Sequence, residues 1–210
     1  MNLWLSVALT AAAGYLLGNL NGSVLMSRLL AHDDVRTHGS GNAGFTNFFR
    51  NYGGLGSLLV MLLDGCKAAA ACLLGGALLK PFGLSQEGMI LGAITVTLGH
   101  NFPALLGFRG GKGIVCGFAS AIVIDWRVAL LILAVFAAVY FLTHYVSLSS
   151  VLAALGFGVG FVLFHPDRPW LLAGSCFLVA LAIFMHRENI RRLLRGEERK
   201  TDFFGRRKKS

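Results

Sequence analysis

Seven apolar stretches divide this chain, at residues 3–30, 55–79, 88–106, 114–124, 128–142, 151–164 and 170–185. They are continuous blocks rather than one-sided stripes. A helix needs about 20 apolar residues to cross the ~30 Å hydrocarbon core of a bilayer. Blocks of this length, repeated along 210 residues, exclude a soluble fold. The absence of strict alternation also argues against a membrane β-barrel. Only 14% of the residues are charged, against roughly a quarter in soluble domains. The expected fold is therefore all-α: a polytopic helical membrane bundle of about seven transmembrane helices. The fourth to sixth stretches are short. They must extend through flanking polar residues or lie in thinned bilayer. Five or six spans result if the fourth is re-entrant. The first stretch lacks a basic leading region and an A-x-A site, so it reads as a retained helix rather than a signal peptide. No repeat or linker divides the chain, and residues 1–210 read as a single domain.

Charge orients the bundle. The tail from about residue 187 to 210 carries ten Lys/Arg against four Asp/Glu, which is +6 of the net +9. Nucleic-acid binding is one reading of a basic tail. In a membrane chain the positive-inside rule is the better one, and it puts the C-terminus in the cytoplasm. Seven spans then place the N-terminus outside. The links at 80–87, 125–127 and 165–169 fall outside, while 31–54, 99–113, 143–150 and the tail fall inside. The unusual polar residues all land on the inside face. The four cysteines form no C-x-x-C pair and read as small packing residues.

The first inside loop reads GSGNAGFTNFFR over 39–50. Its glycines permit backbone angles that turn several N–H groups toward one point. Ser40, Asn42, Thr46 and Asn47 add neutral hydrogen-bonding groups, and the Arg50 fork matches phosphate geometry. A flexible connector is the bland alternative. Thr46 and Arg50 at helical spacing after the glycines weigh against it.

The second segment, GHNFPALLGFRGGKG over 99–113, holds His100, Asn101, Arg109, Gly110, Gly111, Lys112 and Gly113. A nucleotide P-loop requires Ser or Thr after the Lys to hold magnesium, and Gly113 stands there, so ATP is disfavoured. What remains is a glycine turn with a cation, leading into an apolar helix, which favours anions. The third segment, HRENIRRLLRGEE over 186–198, puts His186 and Asn189 on one helix face. Within the second span, Asp64 and Lys67 are three residues apart. They read either as an ion pair or as part of a polar cavity. Ser147, Ser149 and Ser150 either donate to an anion or cap a helix. His32, His38, His144 and His165 read as structural.

No nucleophile–His–acid arrangement appears, and no His is followed five residues later by Asp, so a covalent acyl-enzyme is poorly supported. The inventory offers many donors and few bases. It suits anionic substrates with a good leaving group, for which the protein supplies position and charge neutralisation.

Together the three segments resemble the acyl-phosphate:glycerol-3-phosphate acyltransferases of bacterial membranes, the PlsY family. This chain departs from the usual family pattern at Ala43, Phe45 and Val115–Cys116, and the main polar residues are kept. The resemblance implies transfer of a fatty acyl group from acyl phosphate to the 1-hydroxyl of glycerol 3-phosphate. The products would be lysophosphatidic acid and inorganic phosphate, in the first acylation of phospholipid synthesis. It implies a monomer in the bacterial inner membrane, facing the cytoplasm and in contact with membrane lipids. No cofactor, metal or nucleic acid is expected. Ser40, Arg50, Lys112, His186 and Asn189 would form the catalytic set. Gly39, Gly41, Asn42, Thr46, Asn47, His100, Asn101, Gly110, Gly111, Gly113 and Ser147 would bind substrate phosphate, with Gly110, Gly111 and Gly113 presenting N–H groups. The acyl chain would lie between spans. A membrane carrier for an anionic phosphate ester is the rival reading. A carrier should place polar residues through the midplane and at both faces.

Overall fold

The structure, a computed structural model, describes residues 2–203. Its described secondary structure is helical: α1 (Leu3–Asn19), α2 (Gly22–Ala31), α3 (Phe45–Asn51), α4 (Gly54–Leu79), α5 (Ser85–Asn101), α6 (Ile114–Ile124), α7 (Trp126–Thr143), α8 (Val146–Phe164), α9 (Pro169–Met185) and α10 (Arg187–Leu194). Five helical segments are long and apolar enough to cross a membrane. A sixth is counted if α9 and α10, bent by 57° at His186, form one span. α6 has 11 residues, about 17 Å at the usual helical rise, shorter than the full ~30 Å hydrocarbon thickness.

The first apolar stretch is not one helix. It breaks at Leu20 and Asn21, where the Asn21 side chain accepts from Val24 N–H at 3.0 Å and starts α2. Periodicity hides such a break because both halves are apolar. α1 and α5 run parallel and in close contact, with α4 packed antiparallel against both. Small residues permit this approach: a Cβ on Gly18 would stand 2.7 Å from Gly99 Cα. A second core joins α6 to α9 through Ile124, Val128, Ile132, Phe157, Phe161, Leu171 and Leu178.

The helix ends form two polar faces. On one, Asp125 pairs with Arg127 at 2.6 Å and His165 at 2.8 Å, and Arg168 pairs with Glu87 at 3.0 Å. The three links assigned to the outside are thus gathered together, and His165 is held structurally. Exposed Trp4, Trp126 and Trp170 begin α1, α7 and α9 at this same face, as an interfacial aromatic belt would. The opposite face carries the three sequence motifs.

Part of the tail is not a free basic extension. Thr201 N–H donates to His144 O at 3.0 Å, Tyr140 Oη–H donates to Thr201 O at 3.0 Å, and Phe203 N–H donates to Tyr140 Oη at 3.0 Å. Residues up to 203 are therefore laid back across the motif-bearing face. The last four cations of the tail (Arg206, Arg207, Lys208, Lys209) lie outside the described residues.

Candidate active site

The first loop is organised by Asn47. Its Nδ2 donates to Val35 O and His38 O at 3.0 Å and to Asn42 O at 3.1 Å, while Oδ1 accepts from Ser40 N–H at 3.0 Å. Every polar atom of this side chain is engaged within the loop. Asn47 thus organises its loop, and it also lines the cavity described below. Gly39, at φ +59°, packs against that same Asn47 side chain. Gly41, at φ +69°, turns the chain. Neither lines the cavity described below.

The second loop is fastened to the first. Ala43 N–H donates to Gly110 O at 3.3 Å, Asn42 Nδ2 donates to the same oxygen at 3.4 Å, and Arg36 donates to Leu106 O at 2.8 Å. Gly110 N–H donates to Asn101 O at 3.2 Å, and Gly111 N–H to His100 O at 3.1 Å. These two amides are therefore not presented to a phosphate, which corrects the sequence expectation. The donors in their place are the first amides of α6. A helix start leaves its leading N–H groups without intrahelical partners, and here Gly113, Ile114 and Val115 line the cavity. Asn101 is buried behind this turn. Its side chain has no hydrogen-bond partner among the described residues, and its Oδ1 lies beside Gly113.

Between these loops and α6–α10 lies a cavity of about 380 Å³. Its polar end is lined by Ser40, Asn42, Thr46, Arg50, Lys112, Ser147, His186 and Asn189, joined by His100 and Asp64. Its apolar end runs past Phe118, Ile132, Phe136, Ala153, Phe157 and Leu178. Among the described residues, the hydroxyls of Ser40 and Thr46 have no hydrogen-bond partner in the protein. The buried Ser147 hydroxyl also lines the cavity and has no hydrogen-bond partner among the described residues, whereas Ser149 bonds back to Tyr145 O at 2.9 Å.

Sequence reasoning missed three contributors from the tail, namely Arg192, Glu198 and Phe203. Lys112 Nζ donates to Asn189 Oδ1. Asn189 Nδ2 donates to Glu198 Oε1 at 2.8 Å, and Arg192 Nε donates to Glu198 Oε2 at 2.7 Å. Arg50 Nε donates to Thr201 Oγ1 at 3.0 Å, and Phe203 packs on Phe45 and Phe49. Glu198 is one carboxylate within a strongly basic segment. Only its return to the site, which local pattern does not encode, reveals it.

Burial pushes the Lys112 ammonium down to about 8; nearby Arg192 and Arg50 add to this, and Glu198 opposes it. Burial also lowers Arg50. For Glu198, burial raises the carboxyl, but hydrogen bonds from Asn189 and Arg192 outweigh it and leave it below the usual range. At the polar end Arg50, Lys112 and Arg192 thus surround Glu198, while Asp64 is paired with Lys67, an arrangement with positive charge in excess and suited to phosphate. His186 Nδ1–H donates to Ala182 O at 2.8 Å. Among the described residues no acid is bonded to the ring, and Nε2 is its remaining hydrogen-bonding atom. Among the described residues, no three His, Cys, Asp or Glu side chains are grouped to hold a metal ion.

Residues 8–196 match the family model described as glycerol-3-phosphate acyltransferase. A glycerol-3-phosphate acyltransferase of Clostridioides difficile (strain 630) is 38% identical over 196 residues, covering 93% of this chain and 95% of that one. One from Anaeromyxobacter sp. (strain K) is 41% identical over 198 residues, covering 92% and 96%. Among solved structures, the glycerol 3-phosphate form of PlsY (YgiH), an integral membrane glycerol 3-phosphate acyltransferase, is 31% identical. It has a TM-score of 0.85 and coverage of 94% and 96%. The lysophosphatidic acid form of that protein has a TM-score of 0.83 at 30% identity.

Proposed function

The chain belongs to the glycerol-3-phosphate acyltransferase family, and from that premise we propose that its cavity moves a fatty acyl group from acyl phosphate to the 1-hydroxyl of glycerol 3-phosphate. The observation that carries this reading is the two-ended cavity. Arg50, Lys112, Ser40, Thr46 and the start of α6 converge at one end, and an apolar groove between α6, α7, α8 and α9 forms the other. An acyl phosphate has the same division, a dianionic head on an aliphatic chain.

The acceptor oxygen attacks the acyl carbon, the bond from that carbon to the phosphate oxygen breaks, and inorganic phosphate leaves. The cations and the α6 amides neutralise charge that moves onto phosphate during the step. No protein residue is an indispensable base. The departing phosphate takes the hydroxyl proton, and His186, held by a backbone carbonyl rather than an acid, orients the acceptor. Asn189 fixes Lys112, and Glu198 fixes Asn189. The reaction needs no cofactor, because the acyl group arrives activated.

The accompanying topology is seven crossings in the bacterial inner membrane, with the N-terminus outside and the C-terminus and site toward the cytoplasm. A single chain acts as one domain. The short α6 leaves the site in a recess of the cytoplasmic face, where acyl phosphate enters from the lipid and glycerol 3-phosphate from water. A carrier is disfavoured because, on the far face, Asp125 is paired with Arg127 and His165, and Glu87 with Arg168.

The test is the purified chain with acyl phosphate and labelled glycerol 3-phosphate. Lysophosphatidate and phosphate are expected in equal amounts, with no product from acyl-CoA. Product from acyl-CoA alone would overturn the donor assignment.

A further inference from the structure

Asp64, Lys67 and His100 are buried together inside the bundle, at 1%, 6% and 3% exposure, and the reaction as drawn gives the ion pair no part. Lys67 Nζ lies 2.6 Å from Asp64 Oδ1, 3.0 Å from His100 Nδ1, 2.7 Å from Leu20 O and 3.3 Å from Gly18 O. Asp64 Oδ1 accepts from Gly22 N–H at 3.2 Å. The pair meets the break in the first span with matched signs. The ammonium faces the carbonyl end of α1, and the carboxylate faces the amide end of α2.

Each side of this cluster leads to one of the two site loops. Asn21, between the two helix ends, donates from Nδ2 to Ala43 O at 3.0 Å, and Ala43 N–H reaches Gly110 O at 3.3 Å. The His100 imidazole lies so close under Gly111 that a Cβ there would overlap Nε2, and His100 O receives Gly111 N–H. Stability alone does not call for such a pair, since apolar replacement of a buried ion pair is often neutral or stabilising. Charge inside a span is a functional signal by default.

We propose that Asp64, Lys67 and His100 are positioning residues that hold the first and second site loops in register, and so set the separation between the acceptor hydroxyl and the acyl carbon. This rests on the acyl-transfer reading above. Misplacement of reacting groups by ~1 Å costs about 10²-fold in rate.

The experiment compares three purified variants with wild type in the acyl phosphate assay. Folding is followed by gel filtration and thermal melting. The double variant Asp64→Leu/Lys67→Met removes both charges together. It should melt near wild type, while kcat falls by about 10²-fold and KM for glycerol 3-phosphate changes by less than about threefold. The exchanged variant Asp64→Lys/Lys67→Asp keeps an ion pair with each charge at the wrong helix end, and it should stay as slow. Asn21→Ser keeps a capping oxygen for α2 but loses the reach to Ala43. It should fold and lose roughly tenfold in kcat, since one loop contact is released. Wild-type kcat in a folded double variant or in Asn21→Ser would overturn the proposal, as would recovery in the exchanged variant. Should the double variant not fold, the Asn21→Ser result decides alone. Absence of product from the wild-type chain would overturn the acyl-transfer reading itself. Wild-type activity with unimpaired variants would overturn only the positioning role.

Discussion

At one set of helix ends the protein gathers Glu87, Asp125, Arg127, His165 and Arg168; at the other it gathers Arg50, Lys112, His186, Arg192 and Glu198. Both groups mix carboxylates, cations and an imidazole, yet their bonding differs. On the far face Arg127 and His165 share Asp125, and Arg168 and Glu87 hold each other. There the Arg127 hydrogen bond outweighs the burial of the Asp125 carboxyl and pulls it down to about 2. On the site face the cations outnumber their carboxylate, the Ser40 and Thr46 hydroxyls have no protein partner among the described residues, and burial lowers Lys112. A site is thus marked by polar capacity left unsatisfied around a cavity, not by the residue types present.

That contrast breaks most readily at its largest expected effect. Lys112→Met should lower kcat/KM by about 10³-fold, the upper range for removing one group that stabilises transition-state charge. Arg127→Met, in the same assay, should leave it unchanged. Equal losses would erase the distinction between the faces. Arg50→Lys keeps the charge but not the planar fork. A loss near 10²-fold in kcat/KM is expected, the scale of a misplaced contact; a wild-type value would show that Arg50 acts only as a point charge.

The pH profile sharpens the contrast more finely. Lys112 is charged below its value of about 8 and neutral above it. Log kcat/KM for glycerol 3-phosphate should therefore descend as pH rises through that value, by about tenfold per unit. In Lys112→Arg the descending limb should vanish, because a guanidinium stays charged. The smallest activity effect belongs to Asp125→Ala. Loss of the α7 cap should cost about 1–2 kcal/mol of stability, seen as a lower melting temperature, with kcat intact.

Much of this was readable in advance. The apolar blocks gave the helical membrane class, and the glycines, Lys112, Arg50 and His186 gave the polar end of the cavity. Other features are set by tertiary contacts and leave no local pattern. Gly110 and Gly111 look like phosphate-cradling amides, but α5 carbonyls take both N–H groups. Asn47 lines the cavity as a ligand would, and the bonds that also make it the organiser of its loop leave no mark in the sequence. The α1–α2 break depends on Asn21 and on Asp64 and Lys67, more than forty positions further on. Glu198 reaches the site only because residues 201 and 203 bond to α7 and to His144. Sequence therefore shows which groups are available, and packing decides which of them remain free.

The most direct test of a site that works by position and charge, with the leaving phosphate accepting the proton, is kcat for purified, folded His186→Ala with acyl phosphate and glycerol 3-phosphate. A loss of about 10²-fold or less is the expected result; a loss beyond ~10⁴-fold, the upper end for a general base, would contradict it.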